Sequence, residues 1–256
     1  MSSLVSIITP SYNCSKFIKE TIESVLAQTY TNWEMLITDD CSTDNSVEII
    51  SEFAEKDSRI KLYKLEKNSG AGVARNNSIR MASGKYIAYL DSDDRWYPWK
   101  LETQVRFMQE NDYAISYASY ITCNEEGEKN GIIVCRRKET YWNILCDDKM
   151  GFLTMMYDTE KCGKVELPFM RKRQDWAHKV DLMKDGTVAY GIKEPLGIYR
   201  LVSNSISRNK KSLVKFNISV YSTILGWSKL KSTLFFVFFF MPTHFLKLAR
   251  VWYINR

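Results

Sequence analysis

Histidine is scarce in this chain: His178 and His244 are the only two. The six cysteines (Cys14, Cys41, Cys123, Cys135, Cys146, Cys162) are scattered, with no CxxC pair among them. The two shortages argue against a zinc site and offer no disulfide framework. A phosphate-cradling GxxxxGK[ST] loop is missing as well. No basic leader and long apolar stretch precede the first strand-like run, Leu4–Thr9. Secretion is therefore not indicated, and a reducing cytosol is the simplest compartment. The apolar run Leu234–Met241 is too short to span a bilayer, which takes about 20 residues. Internal repeats and low-complexity linkers are lacking too. The last absence is of one charge sign: from Pro195 to Arg256 there is no aspartate or glutamate.

That final segment holds Arg200, Arg208, Lys210, Lys211, Lys215, Lys229, Lys231, Lys247, Arg250 and Arg256. All 30 acidic residues lie before it, so a mildly acidic body carries a strongly basic end. Basic ends meet nucleic acid or anionic lipid. Here bulky aromatics sit between Lys231 and Pro242, which suits an anionic membrane surface and not a DNA groove. Packing of this end onto the body, or onto a second copy in a homodimer, is the competing arrangement.

What is present is a regular alternation. Strand-like runs at Leu4–Thr9, Trp33–Thr38, Ile60–Leu65 and Lys85–Leu90 are separated by helical spacing at Ser15–Gln28, after Asp44 to about Glu55, and at Val73–Ala82. This βαβαβαβ order predicts a parallel, Rossmann-like sheet flanked by helices. Beyond it the pattern predicts helices at Trp99–Glu110, Trp142–Cys146 and Gln174–Lys184. Strands are expected at Tyr113–Thr122, Gly131–Cys135 and Thr187–Tyr190. From Ser212 onward helix should dominate, broken near Pro242.

The fourth strand ends abruptly in Asp91-Ser92-Asp93-Asp94. Open α/β sheets bind ligands at their carboxyl edge. Carboxylates so close repel one another unless a cation lies among them. Hard oxygen donors suit Mg2+ or Mn2+, usually shared with substrate phosphates.

Five motifs then fall in order: Val5-Ser6-Ile7-Ile8-Thr9-Pro10-Ser11-Tyr12-Asn13, Ser24-Val25-Leu26-Ala27-Gln28-Thr29, Asp39-Asp40-Cys41-Ser42-Thr43-Asp44, Asn68-Ser69-Gly70 with Ala74-Arg75-Asn76, and Leu90-Asp91-Ser92-Asp93-Asp94. Together they resemble family 2 glycosyltransferases of the GT-A fold, over about residues 4–110 and more weakly to about 205. Within the family, the enzymes that build teichuronic acid, capsular and O-antigen polysaccharides are the nearest kind. The resemblance implies an α/β GT-A domain over residues 1–210, with a nucleotide-sugar half (1–97) and an acceptor half (98–210). Residues 211–256 would form a helical, basic and aromatic tail.

The same resemblance assigns roles. Pro10 opens the chain over the sheet edge, and Tyr12 stacks beside the nucleotide base. Asp40 reads base or ribose, with Asp39 in support, and Arg75 contacts base or phosphates. Gly70 and Gly72 let the backbone approach the ligand. Asp91, Ser92 and Asp93 form the DxD element, with Asp93 on ribose and metal (Mn2+ or Mg2+). Asp91 or Asp94 is the second metal ligand. Asp175, in Arg173-Gln174-Asp175-Trp176, is the general base. Arg200, ahead of Ser203–Ser207, would swing onto the diphosphate, and His178 would line the acceptor side. Asp147-Asp148 reads as a solvated turn. The expected reaction is inverting transfer from a UDP-sugar to a hydroxyl of a glycan acceptor. That acceptor would be carried on a polyprenyl diphosphate, at the cytoplasmic face of the cell membrane. Two alternatives stay open: a nucleotidyltransferase, which would usually place a glycine-rich basic loop after the first strand, and a non-catalytic sugar-nucleotide-binding protein, which would lack a base.

Overall fold

A computed structural model describes residues 3–202 and 210–243. The side chains of 210–213 are not among them. The expected Ser203–Ser207 element, His244 and the tail beyond Thr243 also lie outside the described residues.

The first half forms as its pattern predicts. Strands β1 (Val5–Ser11), β2 (Trp33–Asp39), β3 (Ile60–Lys64) and β4 (Tyr86–Tyr89) run parallel in the order 3-2-1-4. Every residue of β1, β2 and β4 is buried, which is why these strands read as continuous runs and not as alternations. Helices α1 (Ile18–Leu26), α2 (Ser46–Lys56) and α3 (Ala71–Met81) make the crossovers. After β3 the chain passes to the other side of β1. The carboxyl ends of β1 and β4 thus flank the point where strand order reverses, the place where such sheets open a crevice.

The second half turns the sheet from parallel to mixed. Its elements are β5 (Arg95–Trp96), α4 (Lys100–Glu110), β6 (Ile115–Cys123), β7 (Lys129–Ile133), β8 (Lys138–Glu139) and α5 (Tyr141–Cys146). They continue with β9 (Met156–Asp158), α6 (Thr159–Cys162), α7 (Gln174–Met183) and β10 (Ala189–Arg200). β9 inserts antiparallel between β4 and β6, and β10 lies parallel to β6. With only three residues, β9 is too short to carry a period in the sequence. β10 extends ten residues past the expected Tyr190, through Pro195. The register shifts on either side of Pro195, and such a bulge admits a residue with no N–H to donate.

The chain from 211 onward, expected as a separate tail, packs on the body as far as it is described. Helices α8 (Lys210–Leu225) and α9 (Lys229–Phe235) meet at 120° across Gly226, whose φ is +63°. A π-helical turn, Phe236–Phe240, continues α9. Trp176 of α7 packs on Tyr221 and Phe240, with ring centroids 5.6 and 5.3 Å away. The Tyr221 hydroxyl donates to the Leu145 carbonyl at 2.8 Å. The aromatic run is therefore two-sided. Phe235, Phe236 and Phe240 are buried, while Leu234, Val237, Phe238 and Phe239 are exposed. Among the described residues, no single helix is long and apolar enough to cross a membrane, though the bent α8–α9 pair passes on length and composition together.

Candidate active site

The loops at the β1 and β2 ends are fixed by carboxylates. Asp39 accepts from the Ser11 hydroxyl (2.9 Å) and from the backbone N–H and hydroxyl of Ser42 (2.8 and 2.5 Å). Asp40 is buried, and its two oxygens accept the backbone N–H groups of Ser69 (2.6 Å) and Gly70 (2.7 Å). It thereby clamps the loop that starts α3, and each oxygen keeps a second lone pair. Gly70 takes φ +93°, open to glycine at no steric cost. Gly72 serves a different contact from the one expected: a Cβ there would lie 1.8 Å from Oε1 of Gln174. Its missing side chain lets α7 dock against α3. Tyr12 stands half-exposed at the tip of the β1 loop, beyond Pro10.

The acidic turn after β4 is held from α1, where the Thr21 hydroxyl donates to the carbonyls of Ser92 (3.0 Å) and Asp94 (2.8 Å). Its carboxylates face different surroundings. Asp91 is partly exposed and accepts from Arg75 Nη2 at 2.5 Å. Asp93 is pushed up to about 6 by burial and by the Asp91 charge. Asp94 is fully buried: Oδ1 accepts the Arg200 N–H at 2.9 Å, and Oδ2 has no partner. Burial, then Asp93 and Asp91, raise Asp94 well above the usual carboxylate range. Crowded oxygens that resist ionising, one of them orphaned, fit a divalent cation, which relieves that repulsion. No ready-made cage of three or more ligands exists among the described residues. An ion here would be held by two carboxylates and by substrate phosphates, as is usual for magnesium.

Arg200 does not stand free to swing. It is buried behind the acidic turn, over the Phe17 ring. Its guanidinium donates to the Asp93 carbonyl (3.0 Å), the Glu125 carbonyl (2.6 Å) and the Glu20 carboxylate (2.7 Å). Here Arg200 braces the turn. Glu20, which also pairs with Arg95 at 3.0 Å, is a partner that no motif singles out.

Beyond the acidic turn a cavity of about 580 Å³ opens, with Asp91 and Arg75 among its lining residues and Asp175 in its wall. Arg75 is buried, and its guanidinium lies 5.4 Å from the Phe152 ring centroid. Burial works against its charge, but Asp91 and then Asp175 outweigh burial and raise its affinity for the proton. Arg75 thus links the acidic turn to the expected base. Asp175 sits in the first turn of α7, after Arg173 in the left-handed region (φ +64°). Burial opposes its charge, yet Lys179 and Arg173 hold it below the usual carboxylate range.

Two neighbours were missed. Asp148 is not a solvated turn residue: both oxygens accept from Lys179 Nζ at 2.9 Å, and both residues line the cavity. Lys179 is 1% exposed, also donates to the Met150 carbonyl (2.6 Å), and lies 3.9 Å from Asp175. The i, i+4 spacing of Asp175 and Lys179 on one helix was the signal available. His178 faces the other way. It is fully buried against Tyr89, Phe152 and Tyr157, with Nε2 2.6 Å from the Tyr89 hydroxyl, and so does not line the acceptor side. Burial brings its proton affinity down to about 3.

A reversed strand order with acidic residues at the switch point and a charged cavity beyond it defines an open α/β protein with a ligand site at the carboxyl edge of its sheet. The glycosyl transferase family 2 signature covers residues 6–161, and the chain belongs to that family. It is 44% identical over 235 residues to TuaG of Bacillus subtilis (strain 168), provisionally named a teichuronic acid biosynthesis glycosyltransferase. That match spans 91% of this chain and 93% of the relative. It is 41% identical to Escherichia coli WfgD, named a UDP-Glc:α-D-GlcNAc-diphosphoundecaprenol β-1,3-glucosyltransferase, over 81% of each chain. Among solved structures, Staphylococcus aureus TarS residues 1–349 with UDP-GlcNAc superposes at TM-score 0.70 and 19% identity. That likeness covers 93% of this chain and 73% of TarS 1–349, and shows a shared GT-A fold.

Proposed function

We propose that the protein transfers a sugar, with inversion, from a UDP-sugar to a hydroxyl of a lipid-linked glycan in bacterial surface polysaccharide synthesis. The observation that carries this is one cavity with the acidic turn at one edge and Asp175 at another, joined by Arg75. The WfgD and TarS names, with their UDP-linked donors, support the donor class. Tyr12 and Asp40 bind the base and ribose, beside Pro10 and Arg75. Asp91 and Asp93 would hold a Mn2+ or Mg2+ ion, which when bound would supply positive charge against the departing diphosphate. Asp94 and Ser92 shape that turn from behind, and Arg200 braces it. Asp175 takes the proton as the acceptor oxygen bonds to the anomeric carbon and the bond to UDP breaks on the opposite face. Lys179 and Arg173 keep Asp175 ionised, and Asp148 holds Lys179 in place. The exposed face of α9 rests on the anionic inner face of the cell membrane, close to a lipid-linked acceptor.

Two variants test the division of labour. Asp175→Asn lowers transfer by about 10²–10⁴-fold, the usual worth of a general base, and leaves Mn2+-dependent UDP binding unchanged. Asp93→Asn weakens that binding as well as transfer. Calorimetry with UDP and product release from UDP-sugars measure both; full transfer by Asp175→Asn would remove it as the base.

A further inference from the structure

The cavity that holds Asp175 has unbalanced charge. Arg75 pairs with Asp91, and Lys179 with Asp148. Arg171 and Arg173 line the same cavity and make no ion pair with an acidic side chain among the described residues. Arg173 acts on Asp175 and Asp148 only through space, and its Nε is buried without a hydrogen-bond partner. Both arginines come from the segment that leads directly into Asp175, so they enter on the side of the proposed base.

The mouth beside them is apolar. Ile133 and Val134 line the cavity and are 44% and 60% exposed. Exposed apolar side chains clustered at a polar opening mark a binding surface. Cations with uncommitted donors next to exposed hydrocarbon fit an amphiphile with an anionic head. A soluble nucleotide uses the cations and leaves the apolar rim idle; a neutral glycan uses neither.

Reaction geometry narrows the head group. The acceptor hydroxyl must sit at Asp175. In a sugar 1-diphosphate, the diphosphate lies one sugar ring away from that hydroxyl, and Arg171 and Arg173 line the same cavity as Asp175. We infer that Arg171 and Arg173 seat the diphosphate of a lipid-linked acceptor, with Ile133 and Val134 taking the first units of its hydrocarbon chain. The acceptor is then short: one sugar separates diphosphate from reacting hydroxyl, and the enzyme acts near the start of a lipid-linked chain. This rests on the glycosyltransferase reading above and narrows its acceptor.

Binding tests it without turnover. Farnesyl diphosphate, inorganic pyrophosphate and UDP are titrated separately into the full chain, the first two in EDTA so that no metal bridges them to the acidic turn. Farnesyl diphosphate should bind at least tenfold more tightly than pyrophosphate. Arg171→Ala with Arg173→Asn should weaken farnesyl diphosphate by about 10–100-fold, the range for charge-assisted hydrogen bonds. Asparagine tolerates the left-handed backbone at 173, and Arg171 is exposed, so the fold persists. Val134→Asp should weaken farnesyl diphosphate and spare pyrophosphate. UDP binding with Mn2+ should stay within about twofold in all variants. Unchanged farnesyl diphosphate affinity in the arginine variant overturns the seat, and a parallel fall in UDP affinity assigns the arginines to the donor instead. Equal affinity for pyrophosphate and farnesyl diphosphate overturns the lipid rim. If no UDP-sugar supports transfer, the glycosyltransferase reading fails separately.

Discussion

Asp94 and Asp175 border the same cavity, yet their surroundings drive their proton affinities apart. Burial beside two other carboxylates raises the proton affinity of Asp94, whereas Lys179 and Arg173 outweigh burial and lower that of Asp175. Such a split suits the two carboxyl groups to different roles. His178 is a third case, with a consequence for stability. Unfolded, it takes up a proton below about 6.5; folded, burial keeps it neutral down to about 3. Stability should therefore fall as pH drops from 6.5 toward 3, by at most about 1.4 kcal/mol per pH unit. His178→Gln should flatten that slope in urea unfolding at pH 6, 5 and 4; an unchanged slope would place the titration elsewhere. Gly72 gives a second prediction at this scale. Gly72→Ala pushes on Gln174, next to the proposed base Asp175, so transfer should drop about tenfold while stability changes by under about 1 kcal/mol. Adding Gln174→Ala should restore most of the rate, the non-additivity expected of touching residues.

Among the elements, the helical turns from Lys229 to Phe240 face two environments at once. Phe240 packs on Trp176, whereas Phe238 is 66% exposed. Phe240→Ala should cost about 3–5 kcal/mol in denaturant unfolding, as for buried aromatics generally. Phe238→Ser should cost under about 1 kcal/mol but reduce sedimentation with anionic vesicles. Loss of stability without loss of vesicle binding in Phe238→Ser would end the membrane role of this face. The sequence offered only a run of aromatics bounded by lysines and Pro242. Which rings turn inward depends on where α5 and α7 lie, and no local pattern carries that.

At the scale of the whole molecule, what was legible followed from chain continuity. Four strand-like runs with intervening helices foretold a parallel sheet, whose 3-2-1-4 order came with the structure, and the acidic turn marked its carboxyl edge. Asp175 was singled out through its Asp-Trp motif, and it lies in the cavity wall. Its companions Asp148 and Lys179 were not, because the chain brings them from a loop and a later helical turn to one cavity wall. Arg200 was expected at the substrate because arginines bind phosphate; tertiary contacts with Glu20 and two carbonyls bury it instead. The end of the chain was expected as a helical tail at a membrane surface, with packing onto the body as the competing arrangement, and Val220, Tyr221, Phe235, Phe236 and Phe240 are buried in the core. At about 1.5–3 kcal/mol each, their removal forfeits about 7.5–15 kcal/mol, comparable to the 5–15 kcal/mol by which domains are usually stable. A chain ending at residue 209 should therefore lack the near-ultraviolet dichroism of a packed core. The order of synthesis matters for the same reason. Trp176 leaves the ribosome well before Phe240, the ring that covers it; at about 5–20 residues per second the interval lasts seconds. During it the donor half has all its strands and the acceptor wall still lacks its backing, so the cavity around Asp175 is the last part of the nascent protein to close.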